Sequence, residues 1–404
     1  MRRIRESLPL ARRPRRLATA LATAALAAAG AVLVPVGPGV APAHAAGPTS
    51  FTITGAGFGH GRGLSQYGAQ NAARNLGRTA NQILDFYYPG TTSTRVSDIL
   101  AVLLTKDTDN DLIVGPRSGL KLRSLKTNRL YTLNRANAVR WRVVPLGTTS
   151  TRLQVILKGR SGWVTLGTVP GQTEFLATGP IRLYLPGGST ATYRGRLRSV
   201  VTSEGRRSVN IVALEDYLRG VVPAEVPALW HPQAVRAQAV AARTYAVYER
   251  RNYTGTRPYQ LCDTSLCQVY RGVDAEHPAS DQAVAATRGV VRVSGGRVIF
   301  SQFSASNGGW STAGTQPYLV ARRDPWDLWS GNPYRAWSVS LSAAKVEAAY
   351  PAIGDLLDIR VTNDAAQGGR ATSVVLDGAS ADTTLTADRF RSVFGLRSTM
   401  FRRG

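Results

Sequence analysis

Hydrophobic and polar positions give the chain three textures. Residues 17–34, LATALATAALAAAGAVLV, are apolar without a period and follow a stretch crowded with arginine. Between 97 and 213, short alternating or β-branched runs recur at 99–104, 138–144, 152–157, 163–166, 181–184 and 209–213, parted by Gly, Asn, Pro and Ser. Period two between turn residues predicts strands, so this part reads as a β-rich module. Elsewhere the period is helical. The pattern predicts helices over 65–76, stopped by Gly77, over 80–87, ended by Pro89-Gly90, and from Pro232 to about Arg250. On the last of these Val235, Ala239, Ala242 and Ala246 make a face of small residues suited to close packing. Helices at 278–288 and 342–348 and strands at 290–293, 298–303, 357–361 and 371–376 complete an α+β pattern, a β-rich module joined to an α/β core. No internal repeat or low-complexity linker interrupts it.

The opening stretch changes the compartment. Seven arginines before residue 17, the apolar run and Ala43-His44-Ala45 have the n-region, h-region and small-x-small site of a secretory signal peptide over residues 1–45. No later run approaches the roughly 18 apolar residues of a membrane helix, so the expectation is a secreted or cell-wall protein with no span after signal cleavage. Without residues 1–45, which hold seven Arg and one Glu, the formal charge falls from +25 to +19. Such a surface favours polyanions. No zinc-finger or RNP-type signature and no dense Lys/Arg run follows, so nucleic acid is not the expected partner.

Candidate chemistry collects in three places. From Val221 to Trp230 the chain reads VVPAEVPALW, an acid between two prolines among Val222, Val226, Leu229 and Trp230. A proline-stiffened loop that keeps water from Glu225 would raise its pKa, the condition for a general acid near neutral pH; the plainer reading is a loop whose acid leads into the next helix. Seven residues apart on that helix, Arg236 and Arg243 could clamp substrate, although a cation close to Glu225 would spoil the acid. Near the start, Gly55, Gly57, Gly59, Gly61 and Gly63 alternate around His60, allowing close backbone approach to a ligand or strand. Thirdly, SASNGGWSTAG offers a polar glycine loop with Ser306, Asn307 and Gly308. The cysteines, Cys262 and Cys267, suit a disulfide in an exported chain; the alternative is a metal held with Asp263 and His277.

YRGRL, VNIVALEDYLRGVVPAEVP, AVRAQAVAARTYA, CQVYRG, SASNGGWS and FRSVFGLRSTMF, spread over residues 193–402, together resemble the SpoIID/LytB family of exported proteins linked to peptidoglycan remodelling. The resemblance implies a SpoIID-like core over 206–404 behind a β-rich module over 96–205, and puts the family's catalytic glutamate on Glu225 and its two basic positions on Arg236 and Arg243. Some relatives hold zinc through a Cys and a His near CQVYRG. Here Leu266 and a second Cys stand there, which favours the disulfide and leaves no cofactor implied. The family carries its G-x-G-H-G segment after L-G-L-R-S-T, near its C-terminus. Here GFGHGRGLSQYGA lies at 57–69, within 46–95, an arrangement that reads as a circular permutation and requires residues 51–91 to fold back beside Glu225.

The implied activity is that of a lytic transglycosylase on peptidoglycan glycan strands, with Glu225 as acid then base and Arg243, Arg236, Gln238, Tyr245, His60 and the Ser306–Gly308 loop against substrate. Asp216, Asp263 and Asp274 are candidate second acids for a hydrolase. The alternative function is a glycan-binding protein that enhances a cell-wall amidase.

Overall fold

The structure is a computed structural model that describes residues 47–404; the signal-peptide expectation lies outside them. No helix among the described residues is long and apolar enough to cross a membrane. Seven α-helices occur among them: α1 (Gln66–Leu76), α2 (Ala80–Tyr87), α3 (Leu214–Glu225), α4 (Pro232–Asn252), α5 (Pro278–Ala286), α6 (Ala343–Ala349) and α7 (Ala387–Phe394). Their termini carry the expected signals. Ser65 accepts from the Gly68 N–H at the start of α1, Thr79 and Gln82 form a reciprocal capping box on α2, and Gly77 and Gly395 close α1 and α7 in the left-handed region.

The β-rich module is two largely antiparallel sheets that share one core. A six-stranded sheet runs in the order 164–170, 150–157, 138–146, 112–114, 181–184, 190–193. A seven-stranded one runs 261–262, 99–103, 205–213, 196–202, 173–176, 121–124, 130–132. Alternate residues of the two, among them Trp141, Val143, Val155, Phe175, Leu183 and Leu197, fill one core that continues onto α3 and α4. Strand Leu261–Cys262 lies far along the chain yet pairs parallel with Ile99–Leu103, so the module and the helical core share a sheet.

Helix α4 explains its own composition. One side, Val235, Ala239, Ala242 and Ala246, packs into the core shared with the sheets, as its spacing implies. Another side, Ala234, Ala237, Val240 and Ala241, packs on α1 and α2. Alanine on both sides lets three helices approach, and the long helix is buried almost all round.

Near the end of the chain the strands Leu356–Asp364, Arg370–Gly378 and Thr383–Thr386 form a sheet over α6 and α7. Beside it, strand Ser50–Gly55 lies between Trp337–Ser342 and Phe401–Arg403, antiparallel to both. The first strand described is thus the middle strand of a sheet whose edge is the end of the chain, and the Gly404 N–H donates to the Thr52 carbonyl at 2.9 Å. The expected strand 298–303 is broken into Arg297–Val298 and Phe303–Ser304, because the second piece leaves to pair in parallel with Leu64–Ser65.

Candidate functional site

The acid does not sit in a loop. Glu225 is the last residue of α3, which runs through Pro223 before the Val226 N–H closes on the Val222 carbonyl and Pro227 turns the chain away. Pro223 removes one intrahelical hydrogen bond, to the Arg219 carbonyl, in the last turn of the helix. Leu229 does not shield the acid, being 81% exposed. The screening comes instead from residues distant in sequence.

Glu225 lines a cavity of about 830 Å³ with Phe58, Gly59, His60, Gln66 and Tyr67 from the glycine segment, Trp230 and Tyr245 from beside and along α4, Ser304 and Ala305, and Tyr334 and Arg391. Tyr67 meets Trp230 edge to face at 4.9 Å and Tyr334 at 5.5 Å, and Phe58 lies 4.8 Å from Tyr334. Such a wall of rings suits the apolar faces of sugar rings. Burial pushes the Glu225 carboxyl above its ordinary range, against hydrogen bonds donated by the Val269 N–H (3.0 Å) and the Gln66 side chain. The negative end of the α3 dipole lies there too, which disfavours the carboxylate further. No arginine is among the groups that shift it.

The glycine segment reaches the cavity by threading against residues 302–306. The N–H groups of Phe58, Leu64 and Tyr67 donate to the carbonyls of Ser306, Gln302 and Ala305. Gly63 has φ of +64°, and a Cβ there would stand 2.0 Å from the Gln302 oxygen, so backbone conformation and contact both require glycine. Residues 51–91 therefore lie against the Glu225 cavity.

Several expected contacts are differently placed. Arg243 is fully buried and grips Glu215 through two hydrogen bonds of 2.9 and 2.8 Å, with further donation to the Val284 and Val290 carbonyls; it is a core ion pair outside the cavity. Arg236 and Gln238 do not line the cavity either, Gln238 being buried inside α4's packing and Arg236 partly buried without an ion pair among the described residues. Ser306, Asn307 and Gly308 face inward: the Ser306 hydroxyl and Gly308 N–H donate to Asp327, and the Asn307 amide donates to Asp324. Their donors are spent on those carboxylates, while Ser304 and Ala305 just before them face the cavity. His60 does line the cavity, but its Nδ1 accepts from the Arg62 N–H at 3.0 Å. Burial, then Arg62, Arg391 and Arg370, lower its pKa to about 4, so the ring is neutral.

Tyr245 is at the cavity as expected. Burial raises its hydroxyl pKa first, followed by the charges of Glu249 and Glu225. Cys262 and Cys267 are bonded to each other with Cα atoms 5.4 Å apart, and their loop forms one lip of the cavity through Ser265, Leu266 and Cys267. The two other groups weighed as metal ligands are engaged elsewhere. Asp263 accepts from Thr105, and His277 Nδ1 accepts from the Ala279 N–H as the cap of α5. No cluster of three His, Cys, Asp or Glu suited to a metal occurs among the described residues. Asp216, Asp263 and Asp274 are absent from the cavity wall, and Glu225 is its one carboxyl among the described residues.

Sequence reasoning missed Gln66, Tyr67, Tyr334 and Arg391. Gln66 and Tyr67 stand in the quoted glycine segment and Arg391 in FRSVFGLRSTMF, so the motifs pointed to the right stretches without marking these residues. Tyr334 had no signal.

Comparison with known proteins falls on the same core. Residues 202–293, which hold α3, α4 and α5, match the family model SpoIID, Stage II sporulation protein. An uncharacterised protein of Brachyspira hyodysenteriae is 36% identical over 129 residues, 32% of this chain and 35% of that one. The Amidase enhancer of Bacillus subtilis is 36% identical over 136 residues, 32% of this chain and 17% of the relative. Stage II sporulation protein D of the same organism is 32% identical over 143 residues, 30% of this chain and 41% of the relative. The chain thus spans less than half the length of each of these relatives. The segment that carries Glu225 is thus the part of the chain that is similar to the SpoIID family.

Proposed function

We propose that the protein is an extracytoplasmic lytic transglycosylase that cleaves the bond between N-acetylmuramic acid and N-acetylglucosamine in peptidoglycan. The observation that carries this reading is a single desolvated carboxyl in a large aromatic cavity. A hydrolase that activates water or forms a glycosyl-enzyme needs two carboxyls some 5 to 9 Å apart. A transglycosylase needs one. Protonated Glu225 gives its proton to the glycosidic oxygen as the C1–O bond breaks. The carboxylate then takes the proton of the C6 hydroxyl of the muramic residue while O6 closes onto C1. Glu225 ends protonated, and the product is a 1,6-anhydro end formed without water. A carboxyl of raised pKa suits the first step, and Gln66 with the Val269 N–H steadies the carboxylate between steps.

A second reading is favoured by the similarity to a relative named Amidase enhancer: the cavity holds glycan for a cell-wall amidase without cleaving it. Mass spectrometry of purified glycan strands after digestion separates the two. Anhydro-muramic ends from the full chain, lost in Glu225→Gln, support the enzyme. Their absence from the wild-type digest, or their persistence in Glu225→Gln, defeats it.

A further inference from the structure

The cavity has a cationic wall that the acid chemistry does not use. Arg391, in the last turn of α7, lines it near Phe58, His60 and Tyr334. It makes no ion pair among the described residues, and its Nε is buried with no hydrogen-bond partner. The surroundings add positive charge. Arg62 and the buried Arg370 flank a small adjoining cavity of about 250 Å³ that shares His60, with Asp388 the single carboxyl on its wall among the described residues. Arg370 is held by the Asn307 and Trp310 carbonyls and the Thr399 hydroxyl, without a carboxylate. His60 is neutral and cannot be a counter-charge. A partly buried guanidinium without a counter-ion is costly, and an anion brought by a ligand relieves that cost.

We infer that Arg391 forms an anion subsite of the Glu225 cavity that binds a carboxylate carried by the saccharide, either on the ring's ether substituent or on an attached peptide. This rests on the proposed glycan-binding function and assigns one end of the same cavity. The layout reconciles two demands. Arg391 acts electrostatically on His60 but is not among the groups that shift Glu225, so a cation can hold the substrate's charge while the acid keeps its proton. A planar guanidinium with free N–H groups suits a carboxylate better than an ammonium would.

The test is calorimetric titration of the full chain in the Glu225→Gln background, so that no probe is consumed. Three glycan tetramers of equal length are used: N-acetylglucosamine only, alternating muramic acid with free carboxylates, and the same with those carboxylates joined to a dipeptide ending in a free carboxylate. Expected is roughly tenfold tighter binding of at least one charged tetramer than of the neutral one. The charged probe preferred identifies the source of the carboxylate. Adding Arg391→Gln should bring the ratio to about one, and Arg391→Lys should restore part of it. A background protein without preference for charge, or a preference that survives Arg391→Gln, overturns the subsite while leaving glycan binding intact. Binding of no tetramer at all overturns the functional reading and the subsite with it.

Discussion

Two of the sets of carboxyls drawn out of water among the described residues spend their oxygens differently. Asp327 accepts from the Ser65 and Ser306 hydroxyls (2.5 and 2.7 Å) and from the N–H groups of Gly308 and Gly309 (2.8 and 3.2 Å). Asp324 beside it accepts from the Tyr87 hydroxyl, the Asn307 amide and the Trp326 N–H. A carboxylate offers about four acceptor positions, so Asp327 is saturated by the protein. Glu225 has two donors and turns the rest of its capacity to an open cavity. Burial raises the pKa in all three. A raised pKa therefore does not by itself mark chemistry; unspent acceptor capacity facing a ligand-sized space does. The aspartates are a clasp that ties α1 and α2 to the loop after Ser304, and the glutamate keeps acceptor capacity open to the cavity.

The largest expected effect separates the two functions outright. Glu225→Gln should cut anhydro-end formation by about a thousandfold, on the scale of a general acid and base lost together, while its thermal midpoint at pH 7.5 stays level or rises. The sign follows from linkage. A carboxyl with a raised folded-state pKa adds stability that is present below the unfolded range and lost as pH rises through the folded value, so above that pH a neutral amide removes a cost. Activity should likewise fall on the alkaline side as the acid loses its proton. Glu225→Gln unfolding at 25 °C would place the acid among the clasp residues.

Next comes Asp327→Ala, which should cost about 4 kcal/mol in denaturant melts because it strands several buried donors at once. A variant of wild-type stability would show that the clasp carries nothing. Smaller is the pH effect of Asp324, whose carboxyl is pushed up to about 6 by burial and by Asp327. Its stabilisation is complete below about pH 4 and fades through pH 6, a change of roughly 2 kcal/mol between pH 4.5 and 7.5 that Asp324→Asn should flatten. An unchanged slope in that variant would move the titration elsewhere. Smallest, opening the Cys262–Cys267 bridge with reductant should cost about 2 kcal/mol, since the loop it closes is short. The cavity lip should loosen, read as faster hydrogen exchange over 263–267.

Much of this was legible in the sequence. Period-two runs and helical spacing located the β-rich module and the helices, because those patterns report which face a residue buries. The glycines around His60 announced close backbone approach, and Gly63 against Gln302 has it. What failed was the allocation of polar side chains. Arg243 and Asn307 occur in motif-rich stretches as a ligand contact would, yet each meets a carboxylate brought by the fold, Glu215 and Asp324, which no local pattern shows. The loop expected around Glu225 proved to be a helix end, α3 running on through Pro223 to the acid. The wall beside it is built by Gln66 and its neighbours, some 160 residues away in the chain, rather than by Leu229.

The sheet that joins strand Ser50–Gly55 to Phe401–Arg403 bears on the order in which the protein is made. A ribosome releases residue 50 long before residue 403. The segment that brings Gln66 and Tyr67 to Glu225 cannot be fastened on that side until residues 401–404 emerge, where the Gly404 N–H donates to the Thr52 carbonyl. A chain cut short before residue 400 would leave one edge of that strand open and the cavity wall without its anchor. Assembly of the cavity wall thus waits on residues made well over a hundred positions after Glu225 itself.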